Sequence, residues 1–434
     1  MQRANPPVEG RYRDAVADLD GRQPARMVPD LDRISALCDL LDHPELTYPT
    51  VHVTGTNGKT STARVAARIL CGHGLAAGLY TSPHLHSVTE RLALCEEAIS
   101  QDEFAEGYEH LRPYLQEVDG RGERVTYFEA LTALAYLWFA DKPVDAAVFE
   151  VGMGGRWDAT NLVRGEVAVL CPIGLDHPEL GETVEEVAGE KAGIIKPEAT
   201  AVVQQQRPEA MAVIEARAKG VGATVTLEDR DFGVEARDLA VGGQRLRIRG
   251  LHETYEELLL PLHGEHQACN AAAAVAASEA LLGRALSADV LREALAGATS
   301  PGRMEVVTRH PLVVLDGAHN PDGAAALAEA LAESFVWRRL HLVIGVLGGK
   351  DLRAIVDALA PRSDVAYACA STSPRALPAE EVAAACERAG VPATVHGSVA
   401  RAVSAARAAA AEDDLILVSG SLYTVADARS LTLD

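Results

Sequence analysis

The sequence predicts an α/β protein with an N-terminal doubly wound sheet built around a phosphate-binding loop (P-loop), a small accessory antiparallel sheet, and a smaller C-terminal Rossmann-like α/β domain. Through roughly the first 200 residues, short β-branched or apolar runs alternate with Ala-, Leu- and Glu-rich helical stretches, which is typical of a parallel sheet with crossover helices. The segment 297–302, Gly-Ala-Thr-Ser-Pro-Gly, interrupts regular structure, and the same alternation restarts after it.

The N-terminal sheet is predicted from five apolar runs, at 50–53, 77–80, 145–150, 167–172 and 199–204. Between residues 222 and 250 the pattern changes to short strands with polar punctuation, at 223–226 and 245–249, which favours antiparallel hairpins. A long Ala-rich helix is predicted over 267–282. We therefore place one domain at 1–298, with the accessory sheet inside it, and a second at 303–434.

The C-terminal domain is predicted from five further strands, at 312–315, 340–344, 365–369, 394–396 and 415–419, separated by Ala-rich helices. This order of elements is typical of a second doubly wound unit, which binds ligands outside the carboxyl ends of its strands.

Composition narrows the class of protein. The net charge of -22 repels nucleic acid and anionic membranes, so neither is an expected partner. We find no export signal and no apolar run long enough to cross a bilayer, and expect a cytoplasmic protein that acts as a monomer. The seven cysteines are scattered and never form a Cys-x-x-Cys pair, so we expect small buried apolar residues rather than disulfides or a zinc site.

The segment 54–61, Thr-Gly-Thr-Asn-Gly-Lys-Thr-Ser, lies between an apolar strand and a helical pattern, which is the context of a P-loop. Glycines allow successive backbone N–H groups to face one anion, Lys59 adds a mobile charge, and Thr60 offers a hydroxyl to magnesium. The loop is shorter than a typical one, because Val53 occupies the position of its first glycine. The alternative is a glycine turn that only joins strand to helix.

Other polar side chains follow the predicted strands. Glu150 ends one strand, in the place where a P-loop needs a magnesium-binding acid, and Asp176 and His177 follow the next. Ser82 lies in a Thr-Ser-Pro-His run after a third strand. Each has a structural alternative: a loop cap for Glu150, a satisfied structural residue for His177, and a turn for the Ser-Pro pair.

Nine motifs together resemble one family. They are 54–61, 81–84 (Thr-Ser-Pro-His), 127–129 (Tyr-Phe-Glu), 154–161 (Gly-Gly-Arg-Trp-Asp-Ala-Thr-Asn), 176–177 (Asp-His), 190–197 (Glu-Lys-Ala-Gly-Ile-Ile-Lys-Pro), 264–267 (Gly-Glu-His-Gln), 301–303 (Pro-Gly-Arg) and 316–321 (Asp-Gly-Ala-His-Asn-Pro). In this order they resemble the folylpolyglutamate and dihydrofolate synthases, in the wider family of Mur ligases. Thr60 departs from the synthases, which more often carry a second glycine there.

The resemblance implies an ATP-dependent amide ligase that joins L-glutamate to dihydropteroate or to the glutamate tail of a reduced folate. In the family the acceptor carboxylate is converted by ATP to an acyl phosphate, and ADP and phosphate are released. Residues 1–298 would then be an ATP-binding domain like that of the Mur ligases, and 303–434 a glutamate-ligase-type domain.

The resemblance also implies the site residues. Catalytic roles fall to Lys59, Glu150, His177 and Lys191. ATP would contact Thr56, Asn57, Gly58, Lys59, Thr60, Ser61, Asn270, Arg303, Asp316 and His319. Mg²⁺, with two ions expected, would be bound by Thr60, Ser82, Glu150 and His177, and a monovalent cation is implied as well.

For the pterin end of the acceptor, the resemblance implies a pocket made by Thr126, Phe128, Asp158 and Ala159, although Phe128 could equally be a core residue. Lys191 matches a lysine that family members carry as a carbamate; the alternative is an ordinary surface lysine. For Arg303 the alternative is a surface arginine after a linker, and for Asp316 and His319 a helix-capping role.

Two rival functions come from other classes of protein. A phosphotransferase or NTPase could use the same loop for direct transfer. A nucleotide-binding regulator could bind without turnover, but the presence of Glu150, His177 and Lys191 beside the loop argues against it. Within the ligases, an enzyme of cell-wall precursor synthesis is the second candidate, but the motifs at 127–129 and 158–161 give it no support.

Overall fold

The computed structural model describes residues 8–23, 28–122, 124–142 and 144–431. Within them an eight-stranded sheet forms the N-terminal half. Its strands are β1 (Thr50–Thr54), β2 (Ala77–Tyr80), β3 (Leu92–Leu94), β4 (Glu97–Ala98), β5 (Ala146–Glu150), β6 (Val167–Leu170), β7 (Thr200–Val203) and β8 (Thr224–Leu227). Each of the five strands predicted for this sheet is present, within two residues at either end.

The strand order is β4-β3-β2-β5-β1-β6-β7-β8, with β3 and β4 antiparallel at one edge and the other six strands parallel. β1 lies in the middle, between β5 and β6. In such sheets the connections leave in opposite directions on either side of a central strand, which opens a crevice at its carboxyl end. The segment 54–61 therefore begins where a ligand crevice is expected.

Helices cover both faces of this sheet and continue to the end of the N-terminal half. They are α1 (Val8–Asp20), α2 (Asp32–Leu40), α3 (Lys59–Gly72), α4 (Gln101–Asp119), α5 (Tyr127–Asp141), α6 (Val184–Lys191), α7 (Pro208–Val221), α8 (Glu265–Leu282) and α9 (Ala288–Ala296). Strand residues alternate between the two layers: Val51 and Val53 pack toward α3 and α8, and Phe149 packs toward α5. The core is thus two-sided, as the doubly wound prediction requires.

The accessory sheet is antiparallel, with strands β9 (Gly233–Ala240), β10 (Gly243–Arg249) and β11 (Thr254–Leu260). One prediction about it is wrong: the strand expected at 223–226 is β8, which pairs parallel with β7 at the edge of the large sheet. Gly222, in the left-handed conformation at the end of α7, turns the chain back along β7. The strand therefore completes a crossover unit instead of opening a hairpin.

The C-terminal half forms a six-stranded sheet of order β12-β13-β17-β14-β15-β16, parallel except for β12. Its strands are β12 (Glu305–Arg309), β13 (Leu312–Leu315), β14 (Leu340–Ile344), β15 (Val365–Cys369), β16 (Ala393–His396) and β17 (Leu415–Ser419), and its helices are α10 (Pro321–Ser334), α11 (Leu352–Leu359), α12 (Ala379–Arg388), α13 (Val399–Ala409) and α14 (Leu422–Arg429). The predicted fold class is confirmed, although the half-exposed edge strand β12 was not predicted.

The expectation for the cysteines is wrong in part. Cys71, near the end of α3, and Cys95, in the turn after β3, form a disulfide with their Cα atoms 5.6 Å apart. Cys269 is only partly buried, and the remaining four cysteines are buried as expected. The pair escaped prediction because it depends on the antiparallel pairing of β3 with β2, which brings the turn back to the helix end.

The Ala-rich helix α8 is enclosed on nearly all sides, and the run 271–277 is fully buried. Small side chains let α3 pack closely against it. At its end the buried Glu279 accepts hydrogen bonds from the backbone N–H groups of Leu251 and His252 and from the hydroxyl of Tyr255, at 2.5 Å in the last case. One carboxylate thus ties the accessory sheet to the central helix.

We predict that Glu279→Ala lowers the free energy of unfolding by about 3 kcal/mol, because one buried and two partly buried donors lose one charged acceptor. Glu293→Ala, at an exposed position of α9, should change it by less than about 0.5 kcal/mol. Urea denaturation followed by circular dichroism measures both. Equal effects of the two substitutions would contradict the assigned role of Glu279.

Candidate active site

A cavity of about 850 Å³ lies between the N-terminal and C-terminal sheets. Its walls come from both halves of the chain, which is the usual place for a ligand site. Every residue predicted to contact ATP or a metal lines it: Thr56, Asn57, Gly58, Lys59, Thr60, Ser61, Ser82, Glu150, His177, Asn270, Arg303, Asp316 and His319. Residues far apart in the sequence therefore share one cavity.

The loop 54–61 is held tightly by its neighbours. Gly58, at φ 88°, precedes the first residue of α3, and a Cβ on it would lie 2.5 Å from Oδ1 of Asn270. A Cβ on Gly55 would lie 2.6 Å from Cβ of Cys171. Gly55 also has a positive φ, of 146°, so both positions require glycine for backbone conformation and for space. The hydroxyl of Thr56 donates to the carbonyl of Gly174 at 2.8 Å, which fixes the loop to the segment after β6.

The positively charged end of Lys59 lies over its own loop. Its Nζ donates to the carbonyl oxygens of Gly55 at 2.9 Å and of Thr56 at 3.2 Å. The helix N-terminus adds positive potential at the same place. This arrangement can bind an anionic phosphate without a long glycine loop.

Glu150 ends β5 with a carboxylate that is almost entirely buried. It accepts hydrogen bonds from the hydroxyl of Thr60 at 2.6 Å and from the backbone N–H of Ser82 at 3.0 Å. Burial raises its pKa, and the nearby charge of Lys59 opposes that shift. The bond from Ser82 is the loop-capping contact expected if Glu150 had only a structural role. The same carboxylate also lines the cavity, so it can contact a ligand as well.

A buried ion pair connects the two halves of the chain. Nζ of Lys350, in the loop after β14, lies 2.5 Å from Oδ1 of Asp176, which follows β6. The imidazoles of His177 and His319 lie 3.3 and 3.6 Å from the same carboxylate. Burial alone would raise the pKa of Asp176, but the side chains of His319, His177 and Lys350 outweigh it and hold that pKa well below its usual range.

His177 is neutral at physiological pH. Burial, and then the charge of Lys350, lower its pKa to about 4. A neutral imidazole keeps a nitrogen lone pair available for a ligand. His177 also lines the cavity, so it is exposed to whatever binds there.

Lys191 is buried, with 4% of its surface exposed, and the alternative of a surface lysine is wrong. Its Nζ donates to the carbonyl of Gly55 at 2.8 Å, the same oxygen that Lys59 contacts. Burial, and then the charge of Lys59, lower its pKa to about 7. Lys191 lines a small adjoining void of about 20 Å³, together with Lys59, Asp176 and His177.

The segment 297–302, which links the two halves of the chain and is called the linker below, and the C-terminal half close the cavity through polar pairs. The side-chain amides of Asn57 and Asn320 exchange two hydrogen bonds, at 3.1 and 2.9 Å. The hydroxyl of Ser61 lies 2.9 Å from that of Ser300, so this side chain contacts the linker. Asp316 accepts hydrogen bonds from backbone N–H groups, which is the loop-capping role proposed as its alternative, while still lining the cavity.

The four residues predicted for the pterin end do not line the cavity. Thr126 caps α5, and Ala159 is buried. Both carboxylate oxygens of Asp158 accept local hydrogen bonds, from the backbone N–H of Met153 and from Thr160. Phe128 is partly exposed and reaches the cavity only through Gly152, whose Cβ position lies 2.5 Å from its ring.

Sequence reasoning missed Lys350, Ser300 and Asn320. A signal for Lys350 does exist: it follows Gly348 and Gly349 in the loop after the predicted strand 340–344, on the side of the sheet where the strand's carboxyl end lies. Asn320 stands in a recognised motif but was not selected. Its partner Asn57 lies 263 positions away, and no local pattern indicates such a contact.

The fold and the site define a nucleotide-binding ligase of the Mur class. The family model for the Mur ligase middle domain matches residues 53–278, and that for the Mur ligase glutamate ligase domain matches residues 302–422. In the part of the chain that the structure describes, no helix is long and apolar enough to cross a membrane.

Comparison with individual proteins shows which Mur ligases the chain is similar to. The chain is 42% identical over 448 residues to the dihydrofolate synthase/folylpolyglutamate synthase of Mycobacterium tuberculosis, covering 95% of this chain and 92% of the relative. It is 33% identical to the protein of the same description from Bacillus subtilis, covering 96% and 98%. The M. tuberculosis folylpolyglutamate synthase complexed with ADP superposes with a TM-score of 0.95 at 40% identity, covering 98% and 99%.

A solved FPGS–AMPPCP–folate complex superposes with a TM-score of 0.86 at 32% identity, covering 98% of this chain and all of that one. The chain belongs to the folylpolyglutamate synthase/dihydrofolate synthase family of Mur ligases. The resemblance read from the motifs is confirmed, and the chain is an ATP-dependent ligase.

We predict that Lys350→Met raises the pKa of His177 from about 4 toward the ordinary value for histidine, because a neighbouring positive charge no longer opposes protonation. Lys219→Met, at an exposed lysine, should leave it unchanged. An NMR titration of labelled histidine, assigned with His177→Gln, measures the shift. An unchanged pKa would mean that the charge of Lys350 does not contribute to it.

Proposed function

We propose that this ligase joins L-glutamate to dihydropteroate, to the glutamate tail of a reduced folate, or to both. A free carboxylate is a poor electrophile because its leaving group would be oxide. Transfer of the γ-phosphoryl group of ATP to the acceptor carboxylate gives an acyl phosphate and ADP. The amino group of L-glutamate then attacks the acyl carbon, phosphate leaves, and an amide forms.

The observation that carries this proposal is the shared cavity. Its N-terminal wall supplies the P-loop and Glu150, and its C-terminal wall supplies Arg303 and His319. The Lys350–Asp176 pair brings a third cation to the junction. A ligase binds two anions side by side, ATP and the acceptor carboxylate, and several positive charges reduce the repulsion between them. An acyl phosphate must also be protected from water, which a site between two halves of a chain can do by closing around the substrates.

For the nucleotide, we propose that Thr56, Gly58, Lys59 and Thr60 hold the phosphates. Asn57, Ser61, Asn270, Arg303, Asp316 and His319 would complete the contact with ATP. The support is their common lining of the cavity and the freedom of the Lys59 ammonium to exchange loop carbonyls for phosphate oxygens.

We propose that Mg²⁺, as two ions, is held by Thr60, Ser82 and Glu150 and by His177. The donor set fits: hydroxyl and carboxylate oxygens are hard ligands, and a neutral His177 has a free lone pair. Among the described residues no cluster of three or more His, Cys, Asp or Glu side chains forms a metal site, so the hydroxyls are essential to this assignment. When bound, Mg²⁺ offsets the repulsion between ATP and the acceptor carboxylate.

We propose that Lys191 is carbamylated. An amine with a pKa of about 7 is substantially neutral at physiological pH, and its nitrogen can add to CO₂ with loss of one proton. The product exchanges a buried cation beside Lys59 for an anion, which removes the repulsion between the two ammonium groups. A monovalent cation at the same site is proposed on the family resemblance alone.

For the pterin end, we propose a pocket around Phe128, with Thr126, Asp158 and Ala159 nearby. The support is the partial exposure of Phe128 and its contact with Gly152, which lines the cavity. An aromatic ring at this place can stack on a flat heterocycle. Because both oxygens of Asp158 already accept hydrogen bonds, a ligand would share that carboxylate with its present donors.

We also propose that the chain divides into domains at 298 and 303, acts as a monomer and works in the cytoplasm. In the described residues, the strands of the first two sheets end before 298 and those of the third begin after 303. One chain supplies every residue of the proposed site, so a second subunit is not needed. The cytoplasm is where its cosubstrate ATP is supplied.

Product formation should depend on L-glutamate. With ATP and either dihydropteroate or tetrahydrofolate, we expect a product longer by one glutamyl unit only when L-glutamate is present, as measured by mass spectrometry. Lys59→Ala should reduce the rate at least about 100-fold, whereas Lys219→Ala should not. Phosphate release at the same rate with and without L-glutamate would instead indicate an NTPase. A panel of acceptors then shows whether the chain extends dihydropteroate, reduced folates or both.

Lys191→Ala should reduce ligase activity by about 100-fold or more, because the buried anion that we propose is lost. A small carboxylic acid added to this variant should restore part of the rate by occupying the emptied space. The rate of the protein that retains Lys191 should not change when the acid is added. Full activity of Lys191→Ala without any additive would contradict the carbamate.

A further inference from the structure

The disulfide between Cys71 and Cys95 has no role in the ligase chemistry. It joins the C-terminal turn of α3, the helix that begins at Lys59, to the turn between β3 and β4. Both cysteines are only partly buried, so the bond is accessible to small thiols. In a reducing compartment an accessible disulfide cycles between its two redox states and does not persist as a permanent cross-link.

The turn that carries Cys95 is conformationally demanding. Cys95 and Glu96 are consecutive residues with φ of 44° and 72°. Residues other than glycine, asparagine and aspartate rarely adopt this left-handed backbone conformation. Such a turn needs partners that hold it in place. Two side-chain partners do so: Cys71 holds Cys95, and Arg68 forms an ion pair with Glu96.

Arg68 extends this connection to the linker between the two halves of the chain. Its Nε donates to the carbonyl of Ala294, at the end of α9, at 2.6 Å. Its guanidinium also packs directly on Gly297, where a Cβ would collide with it. Gly297 begins the segment that leads to Arg303, which lines the nucleotide cavity.

We propose that Cys71 and Cys95 form a reversible thiol–disulfide modification site whose redox state controls, through Glu96 and Arg68, how firmly the linker is held. With a dithiol as reductant, a thiolate attacks one sulfur, the Cys71–Cys95 bond breaks, and a mixed disulfide forms. The second thiol of the reductant displaces the protein thiol. The protein gains two electrons and two protons, and the reductant becomes a disulfide; a low-molecular-weight disulfide reverses the exchange.

In the reduced state the turn loses one of its two side-chain partners, and the ion pair of Glu96 with Arg68 weakens. The linker then becomes more mobile, and Arg303 lines the nucleotide cavity for a smaller fraction of the time. Nucleotide affinity is therefore lower in the reduced protein. Because the readout is binding of ADP, it does not depend on which acceptor the ligase uses.

The test compares the full-length protein equilibrated with oxidised or reduced dithiothreitol, a dithiol. Alkylation under denaturing conditions, followed by peptide mass spectrometry, should find Cys71 and Cys95 protected only in the oxidised sample. Calorimetry should give a Kd for ADP about threefold higher in the reduced sample. The double variant Cys71→Ser/Cys95→Ser should bind ADP like the reduced protein in both buffers.

A second variant separates the cross-link from the ion pair. Glu96→Gln keeps the disulfide but removes the charge, and should bind ADP about as weakly as the reduced protein. Glu97→Gln, on the next exposed residue, is the matched control and should bind like the oxidised protein. Alkylation of both cysteines in the oxidised sample, an unchanged Kd on reduction, or oxidised-like binding by Glu96→Gln would each overturn the proposal.

Discussion

Lys350 and Asp176 form an ion pair across the junction of the two sheets, with side chains only 6% and 8% exposed. Removing one member of a pair at such burial leaves an uncompensated charge, at a cost of about 3–5 kcal/mol. The pair therefore stabilises the contact between the two carboxyl edges. His177 and His319 contact the same carboxylate, so the geometry of the cavity depends on this pair being formed.

The site must bind anions within a chain of net charge -22. Lys59 supplies positive charge at the loop, and without the proposed carbamate Lys191 donates to the same carbonyl of Gly55. The repulsion between these two ammonium groups adds to burial and lowers the pKa of Lys191 to about 7. An anion bound at the loop would relieve that repulsion.

The packing of α3 against α8 fixes where these charges lie. The alanines of α8 allow α3 to approach closely, and Asn270 on α8 leaves no room for a side chain at Gly58. The position of the loop is thus set by helix contacts as much as by its own sequence. The same helix carries Glu279, which anchors the accessory sheet, so loop and accessory sheet are positioned by one element.

The sequence by itself determined most strands of the two large sheets and the family. Alternating apolar runs predicted ten strands of the two large sheets, because local hydrophobic pattern and glycine placement are sufficient to indicate strands and turns. The order of motifs, from 54–61 to 316–321, was enough to recognise the synthases. Glu150 and His177 could be chosen because the carboxyl end of a predicted strand is itself a local feature of the sequence.

Only the tertiary structure decided which of these residues meet and in what state. The pairing of Lys350 with Asp176, the contact of Asn57 with Asn320, and the Cys71–Cys95 bond all join segments whose proximity depends on how sheets and strands pack. Burial of Lys191, and with it a pKa of about 7, has the same origin. Sequence patterns report local periodicity, whereas desolvation and charge pairing depend on neighbours that the chain supplies from far away.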